Sequence, residues 1–307
     1  MKLLSLIDWI IDGCYDKKKR IGWYYMEMKR LNRIAVRKMF PKRKPDTHKG
    51  DYGKILLVCG SVGYTGAAAL AAMGALRTGA GLVYLTVPGS IYEIEATKLT
   101  EPIVMPLLEK EGKVCEESIK QLEQLLPKMD ALLIGPGLGQ SEEVFRVVQW
   151  LLQNFSGPVV LDADGINVLQ HHKDILRGRT SPTVITPHEG EFVRLSGSDC
   201  ADRVKSATEL AEDLGAIVLL KGHRTVITDG TTVYKNTTGN PGMAVGGSGD
   251  VLAGVITSLL GQGMEPLKAA ACGAWLHGAA GDVCSKKLGQ YGMLPSDLLR
   301  VLPRLIK

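Results

Sequence analysis

What most constrains this chain is a rhythm: short, continuous apolar runs, most of them ending in a loop that carries Gly, Asp, His or Lys. Ile55-Leu56-Leu57-Val58-Cys59 runs into Gly60-Ser61, and Ala131 to Ile134 runs into Gly135-Pro136-Gly137-Leu138-Gly139. Val159 to Leu161 precedes Asp162-Ala163-Asp164-Gly165, Thr183 to Ile185 precedes Thr186-Pro187-His188-Glu189, and Ile217 to Leu220 precedes Lys221-Gly222-His223. A further apolar run spans Leu82 to Val87. Runs that are apolar at every position are expected of strands buried on both faces, as in parallel sheets. Helical patterns separate them at Gly66 to Arg77 and Ala201 to Leu214. The alternation predicts the α/β class, a three-layer α/β/α sandwich around a mainly parallel sheet. Thr225 to Thr228 and Thr232 to Lys235 flank Asp229-Gly230, a hairpin signal, and helices are expected near 249–260, 266–285 and 296–306. In parallel sheets ligands bind outside the carboxyl ends of the strands, so the polar loop residues should converge on one crevice.

The 36 glycines cluster beside these apolar runs, which suggests backbone that must approach something closely. Six cysteines, at 14, 59, 115, 200, 272 and 284, include no CxxC pair. The sequence thus offers no disulfide framework and no metal spacing, and a reducing cytoplasm is expected. The net charge of +5 is unevenly placed: from Lys17 to Lys44 twelve Lys/Arg face one acid, Glu27, so that stretch carries +11 and the remainder −6. Residues 1–45 are expected to be a basic N-terminal extension, partly helical or disordered, joined at a linker bracketed by Pro41 and Pro45 to a domain spanning 46–307. Basic residues interleaved with Trp23, Tyr24 and Tyr25 suit nucleic acid or an anionic membrane; a solvated arm is the plainer reading. Leu3 to Ile11 is too short to span a bilayer and is interrupted by Asp8, so no transmembrane segment is expected.

The strongest chemical signal is Asn240-Pro241-Gly242-Met243-Ala244-Val245-Gly246-Gly247-Ser248-Gly249-Asp250, followed by the helical run Val251 to Leu260. Glycines at a helix start leave backbone N–H groups free to face an anion, and the helix dipole adds partial positive charge. Gly246, Gly247, Ser248 and Gly249 are therefore the expected anion hole. Asp250, in the first turn, is placed to accept a proton from a substrate hydroxyl beside the bound phosphate. Its place at the helix start is expected to favour the carboxylate form. In Lys221-Gly222-His223-Arg224-Thr225, Gly222 permits close approach and Lys221 is able to reach phosphate.

With these strings in view, the chain resembles the ADP- or ATP-dependent NAD(P)H-hydrate dehydratases of the ribokinase-like superfamily. The likeness rests on Gly246 to Asp250, on His48-Lys49-Gly50-Asp51-Tyr52-Gly53, and on Thr186-Pro187-His188-Glu189-Gly190-Glu191-Phe192. It covers roughly residues 46 to 307. It implies nucleotide-driven loss of water from the S-epimer of hydrated NADH or NADPH, in the cytoplasm, by a homo-oligomer, with a tetramer as the common form. It also implies Asp250 as base, Lys221 to Thr225 and Gly249 as contacts to ADP or ATP, and Ala68, Gly137, His188 and Asp250 as contacts to the hydrated cofactor. Glu191 would organise Mg2+ through water. Two departures stand out: Val245 occupies the place of an expected Thr, and 45 residues cannot hold the epimerase domain that many relatives carry upstream. Asp162, Asp164 and Asn167 are expected to line the crevice, with loop capping as their plainest use.

Phosphorylating a hydroxyl turns it into a good leaving group, so a site that places phosphate, hydroxyl and carboxylate together serves either dehydration or simple phosphoryl transfer. The alternatives are therefore a ribokinase-like kinase of a small alcohol such as a vitamin precursor, or a catalytically idle binding module recruited through the basic arm. His188 in place of the kinases' Asn, and the intact Asp250, favour the dehydratase.

Overall fold

Strand burial dictates the architecture. In the computed structural model, which describes residues 17–21, 24–40 and 43–306, Ile55, Leu56, Leu57 and Val58 have no solvent exposure. Ile55 and Leu57 face a core shared with Ala71 and Val251, while Leu56 and Val58 face one shared with Leu151, Phe192 and Leu210. Successive side chains point to opposite faces of a sheet, so an all-apolar run needs a helical layer on each side.

The described strands are β1 Lys17–Ile21, β2 Tyr24–Arg30, β3 Lys54–Val58, β4 Leu82–Pro88, β5 Ile103–Leu107, β6 Glu109–Lys110, β7 Lys113–Val114, β8 Ala131–Ile134, β9 Val159–Leu161, β10 Thr183–Ile185, β11 Ile217–Leu220, β12 Val226–Thr228 and β13 Thr232–Lys235. Eleven of them form one sheet in the order β1-β2-β13-β12-β11-β10-β9-β8-β3-β4-β5, and β6 and β7 form a separate hairpin. From β11 through β10, β9, β8, β3 and β4 to β5 every pairing is parallel. The carboxyl ends of these strands therefore share one edge. The longer helices are α1 Arg33–Met39, α2 Thr65–Arg77, α3 Gly89–Lys98, α4 Glu142–Asn154, α5 Glu189–Ser196, α6 Arg203–Leu214, α7 Ser248–Gly261, α8 Pro266–Leu288 and α9 Pro295–Ile306. Buried residues of α1, α2, α7, α8 and α9 cover one face, and those of α4, α5 and α6 the other. This is the expected three-layer α/β/α sandwich. Among the described residues no helix is long and apolar enough to cross a membrane.

Two features depart from the sequence reading. Ile103–Leu107 forms the outermost strand although Pro106 interrupts its pattern; a proline removes a ladder donor and is tolerated at an edge. The described part of the 1–45 segment is also built into the domain. β2 pairs with β13 in parallel register, Glu27 opposite Thr232, and Val36 of α1, 1% exposed, packs in the core that α8 covers. Trp23 and the run Leu3 to Ile11 lie outside the described residues.

The string His48 to Gly53 forms a 3-10 turn, Lys49–Tyr52, at the amino end of β3. It thus lies at the edge opposite the crevice, about 16 Å away along a five-residue strand. There a Cβ on Gly53 would collide with the Gly261 carbonyl at the end of α7, so the motif seats a helix terminus.

Candidate active site

The cradle before α7 is built from backbone. Gly247 is the N-cap residue of α7 at φ 93, a left-handed conformation that glycine adopts without steric cost. Among the described residues the N–H groups of Gly246, Gly247, Gly249 and Asp250 have no hydrogen-bond acceptor, whereas that of Ser248 donates to the Val245 carbonyl at 3.3 Å. Three of the four expected anion-hole amides are thus free, and Asp250 supplies a fourth. A Cβ on Gly246 would meet nothing within 4 Å, which leaves the front of the cradle open. Upstream, the Asn240 side chain accepts from Gly242 N–H at 3.1 Å and donates to Asp282 of α8 at 3.0 Å. The Asn-Pro-Gly-Met string therefore clamps the cradle to α8.

Loops at the carboxyl ends of the strands are tied to one another by backbone hydrogen bonds: Gly60 N–H to Pro136 O at 2.8 Å, Thr186 N–H to Leu161 O at 3.0 Å, and Lys221 N–H to Pro187 O at 2.8 Å. This brings together charges remote in sequence. Asp162 Oδ1 accepts from Thr186 Oγ1 and from Lys221 Nζ, each at 2.7 Å. Lys221 Nζ also lies 3.7 Å from Glu191 Oε2. Burial pushes the Lys221 ammonium down, but the charges of Asp162, Glu191 and Asp250 more than reverse this and raise it overall. A Cβ on Gly249 would stand 3.4 Å from Lys221 Nζ and 3.8 Å from Asp162 Oδ2, so the cluster abuts the cradle.

Asp250 corrects one expectation. The helix start was expected to hold it ionised; instead its carboxyl is raised from 3.8 to about 6, chiefly by burial and then by the Asp162 charge, with Lys221 pulling the other way. Desolvation disfavours the charged form, and here it outweighs the helix dipole, whose effect is modest. The result is a stronger base, still mostly ionised at neutral pH.

The remaining candidates fall as follows. Gly222 stands at φ 144, and a Cβ there would lie 2.9 Å from the Arg203 guanidinium. Arg203 in turn donates to the Leu220 and Lys221 carbonyls at 3.0 and 2.9 Å and pairs with Glu189. The room at Gly222 is thus used by a clamp on the loop, after which His223 and Arg224 are exposed and Thr225 is half-buried. His188 is the N-cap of α5: its Nδ1 accepts from Gly190 and Glu191 N–H at 3.0 and 3.3 Å, and its own N–H donates to Glu191 Oε2 at 2.8 Å. Its side chain keeps 55% exposure, while Glu191 keeps 5%. Gly137, at φ 67, sits where a Cβ would approach Tyr64 and Ala67 at 2.9 and 3.0 Å. Ala68 is fully buried, while Tyr64 and Gly66 nearby in the same turn are exposed. Asp164 caps the Gly135–Gly139 loop, accepting from Gly139 N–H at 2.8 Å. Asn167 accepts from Arg194 at 3.0 Å.

Two residues exceed their sequence reading. Asp162 is the hub of the charge cluster rather than a loop cap; its only signal was its place directly after an apolar strand. His277 escaped notice altogether, although a histidine within the apolar helix α8 was itself a signal. Its Nε2 lies 3.2 Å from Ser248 Oγ.

A family profile described as NAD(P)H-hydrate dehydratase matches residues 55–304. The bifunctional NAD(P)H-hydrate repair enzyme Nnr of Moorella thermoacetica is 43% identical over 94% of this chain, which covers 56% of that protein. The chain spans about half the length of the other curated repair enzymes of that name that it matches. The ADP-dependent (S)-NAD(P)H-hydrate dehydratase of Listeria monocytogenes is 33% identical, over 91% of this chain and 97% of its own. The crystal structure of the ADP/ATP-dependent NAD(P)H-hydrate dehydratase from Bacillus subtilis, co-crystallised with ATP and Mg2+, superposes with a TM-score of 0.76 at 30% identity, covering 89% of this chain and 96% of that one.

Proposed function

This chain belongs to the NAD(P)H-hydrate dehydratase family, and from that premise we propose that it removes water from the S-epimer of hydrated NADH or NADPH at the expense of ADP or ATP. The single observation that supports this most is the juxtaposition of free amides at the front of α7 with Asp250, a half-buried carboxyl raised to about 6. The cradle receives the terminal phosphate of the nucleotide, and Asp250 takes the proton of the hydrate's hydroxyl as its oxygen attacks phosphorus. The phosphoanhydride bond to the departing nucleotide breaks, releasing AMP from ADP or ADP from ATP. The phosphate ester then eliminates: its C–O bond breaks, a proton leaves the neighbouring ring carbon, and the ring double bond of NAD(P)H is restored.

We assign Lys221 to Thr225 and Gly249 to the nucleotide, and His188, Gly137, Ala68 and Asp250 to the hydrate. Lys221, held by Asp162, orients the charge that faces the phosphates. Asp162 and Glu191, both buried and both facing Lys221, suit Mg2+ carried in by the nucleotide, because Mg2+ keeps much of its water and binds through phosphates plus one or two carboxylates. Glu191 and Asp162 are the carboxylates that would face its waters. When bound, the ion would neutralise charge on the phosphates.

A reducing cytoplasm is proposed as its compartment, on the cysteine pattern of the sequence. A homo-oligomer is part of the same proposal, checked by sedimentation. The decisive assay is incubation with the hydrated cofactor, Mg2+ and ADP or ATP, following absorbance of the reduced nicotinamide. Regained absorbance that depends on nucleotide is the expected result. Phosphate transfer to a vitamin alcohol with no regain would assign the site to a kinase instead.

A further inference from the structure

One face of α8 holds the loop that leads into the cradle. His277, Gly278, Gly281 and Asp282 recur at the spacing that puts side chains on one side of a helix. A Cβ on Gly278 would collide with Thr238, and one on Gly281 with the Met243 sulfur. Asp282 accepts from Gly239 N–H and from Asn240 Nδ2, each at 3.0 Å. His277 completes the set with its contact to Ser248 Oγ at 3.2 Å. Nothing in the reaction as described above uses that contact.

The contact has two possible directions, and the chemistry of the pair separates them. Ser248 N–H is already engaged by the Val245 carbonyl, so its hydroxyl is what Ser248 has left to offer a phosphate. A hydroxyl carries one proton and two acceptor lone pairs, and a phosphate oxygen only accepts. If His277 Nε2 accepted the Ser248 proton, a lone pair would face the phosphate; if Nε2 carries hydrogen and donates, the Ser248 proton is free to turn toward it. His277 is 9% exposed. Burial pushes its imidazole down to about 4, with Lys221 adding to the push and the Ser248 backbone opposing it. It is therefore neutral at physiological pH, with one N–H to place. Removing a preorganised donor from an oxyanion site costs about 10²–10³ in rate, and loosening one should cost less.

We propose that His277 is a positioning residue that donates from Nε2 to Ser248 Oγ and so aims the Ser248 hydroxyl proton at the transferring phosphate. This rests on the dehydratase reading of the cradle. The test compares wild type, His277→Ala, His277→Gln, Ser248→Ala and the His277→Ala/Ser248→Ala double variant. Each is assayed with hydrated NADH, Mg2+ and ATP, with melting temperature and calorimetric ATP binding measured alongside. Nitrogen NMR of selectively labelled histidine in the wild type reads which ring nitrogen bears hydrogen. The expected result is a fall in kcat of about tenfold for His277→Ala, an unchanged KM for the hydrate, and recovery of most of the rate in His277→Gln, whose amide restores a donor. In the Ser248→Ala background, His277→Ala should cost less than about twofold, because coupled residues are non-additive. Fully additive losses, a glutamine variant no better than alanine, or hydrogen on Nδ1 would each overturn the proposal, the last whatever the turnover assays give. Failure of the dehydratase reading looks different: wild type then shows no nucleotide-dependent turnover, while the tautomer and the ATP affinities of the variants still decide the role of His277.

Discussion

His48-x-x-Asp51 and His188-x-x-Glu191 build the same local structure at opposite edges of the sheet. In each, histidine Nδ1 accepts from the N–H two residues on, at 3.1 Å for Gly50 and 3.0 Å for Gly190. In each, the carboxylate three residues on accepts from the histidine N–H, at 2.9 Å in one and 2.8 Å in the other. Both are capping boxes. They differ in what the carboxylate meets. Asp51 keeps 45% side-chain exposure at the amino edge, whereas Glu191 keeps 5% and faces Lys221 at 3.7 Å. A local motif fixes a local conformation; only the end of the strand on which it stands gives it an ionic neighbour.

The largest expected effect belongs to the residue that exists at one edge alone. Asp250→Asn should lower turnover about 10³-fold, within the range for losing a general base, while calorimetry still detects ATP binding; turnover near wild type would remove Asp250 as the base. The same change should stabilise the fold at pH 8. A raised carboxyl contributes stability that is fully present below about 3.8 and is lost as pH rises through about 6, so the asparagine gain is about 1–3 kcal/mol at pH 8 and shrinks toward pH 4. Thermal melting across that range would show no such trend if Asp250 were not strained by burial.

Next in size is Asp162→Asn, expected to slow turnover about 10²-fold by unseating Lys221. Wild-type turnover should rise with pH through about 6 and then level off. Because the Asp162 charge raises Asp250 more than Lys221 lowers it, the variant's acid limb should shift to lower pH; a limb that stays in place or rises would mean that displacement of Lys221 offsets the lost charge.

Glu191→Gln and Asp51→Asn test the two boxes against each other. The first should lower turnover about tenfold, through Lys221 and the Mg2+-bearing phosphates, and the second should leave turnover intact. Equal effects on turnover would erase the contrast between the edges. The smallest effects are those of the caps. His48→Ala and His188→Ala should each cost about 1 kcal/mol of stability, and only His188→Ala should raise the KM for the cofactor hydrate. A rise confined to the nucleotide would reverse the assignment of His188.

Much of this molecule was written locally. The strands at Ala131–Ile134, Val159–Leu161, Thr183–Ile185 and Ile217–Leu220 coincide with the apolar runs, since burial on both faces asks for apolar side chains at every position. The glycine cradle was equally legible, because stripping side chains before a helix has few other uses. Less was legible in β2, whose basic residues read as an arm but whose backbone pairs with β13; pairing partners far along the chain leave no local trace.

By itself, then, the sequence determined the rhythm of the sheet, the capping boxes and the free amides ahead of α7, all products of residues within a few positions of one another. Only the tertiary structure decided that Asp250 would be a stronger base, that Lys221 would close on Asp162 across 59 residues of sequence, and that His277 would reach Ser248. Desolvation and Coulomb forces depend on what the fold brings near and what it keeps from water, and neither is a property of neighbouring residues in the chain.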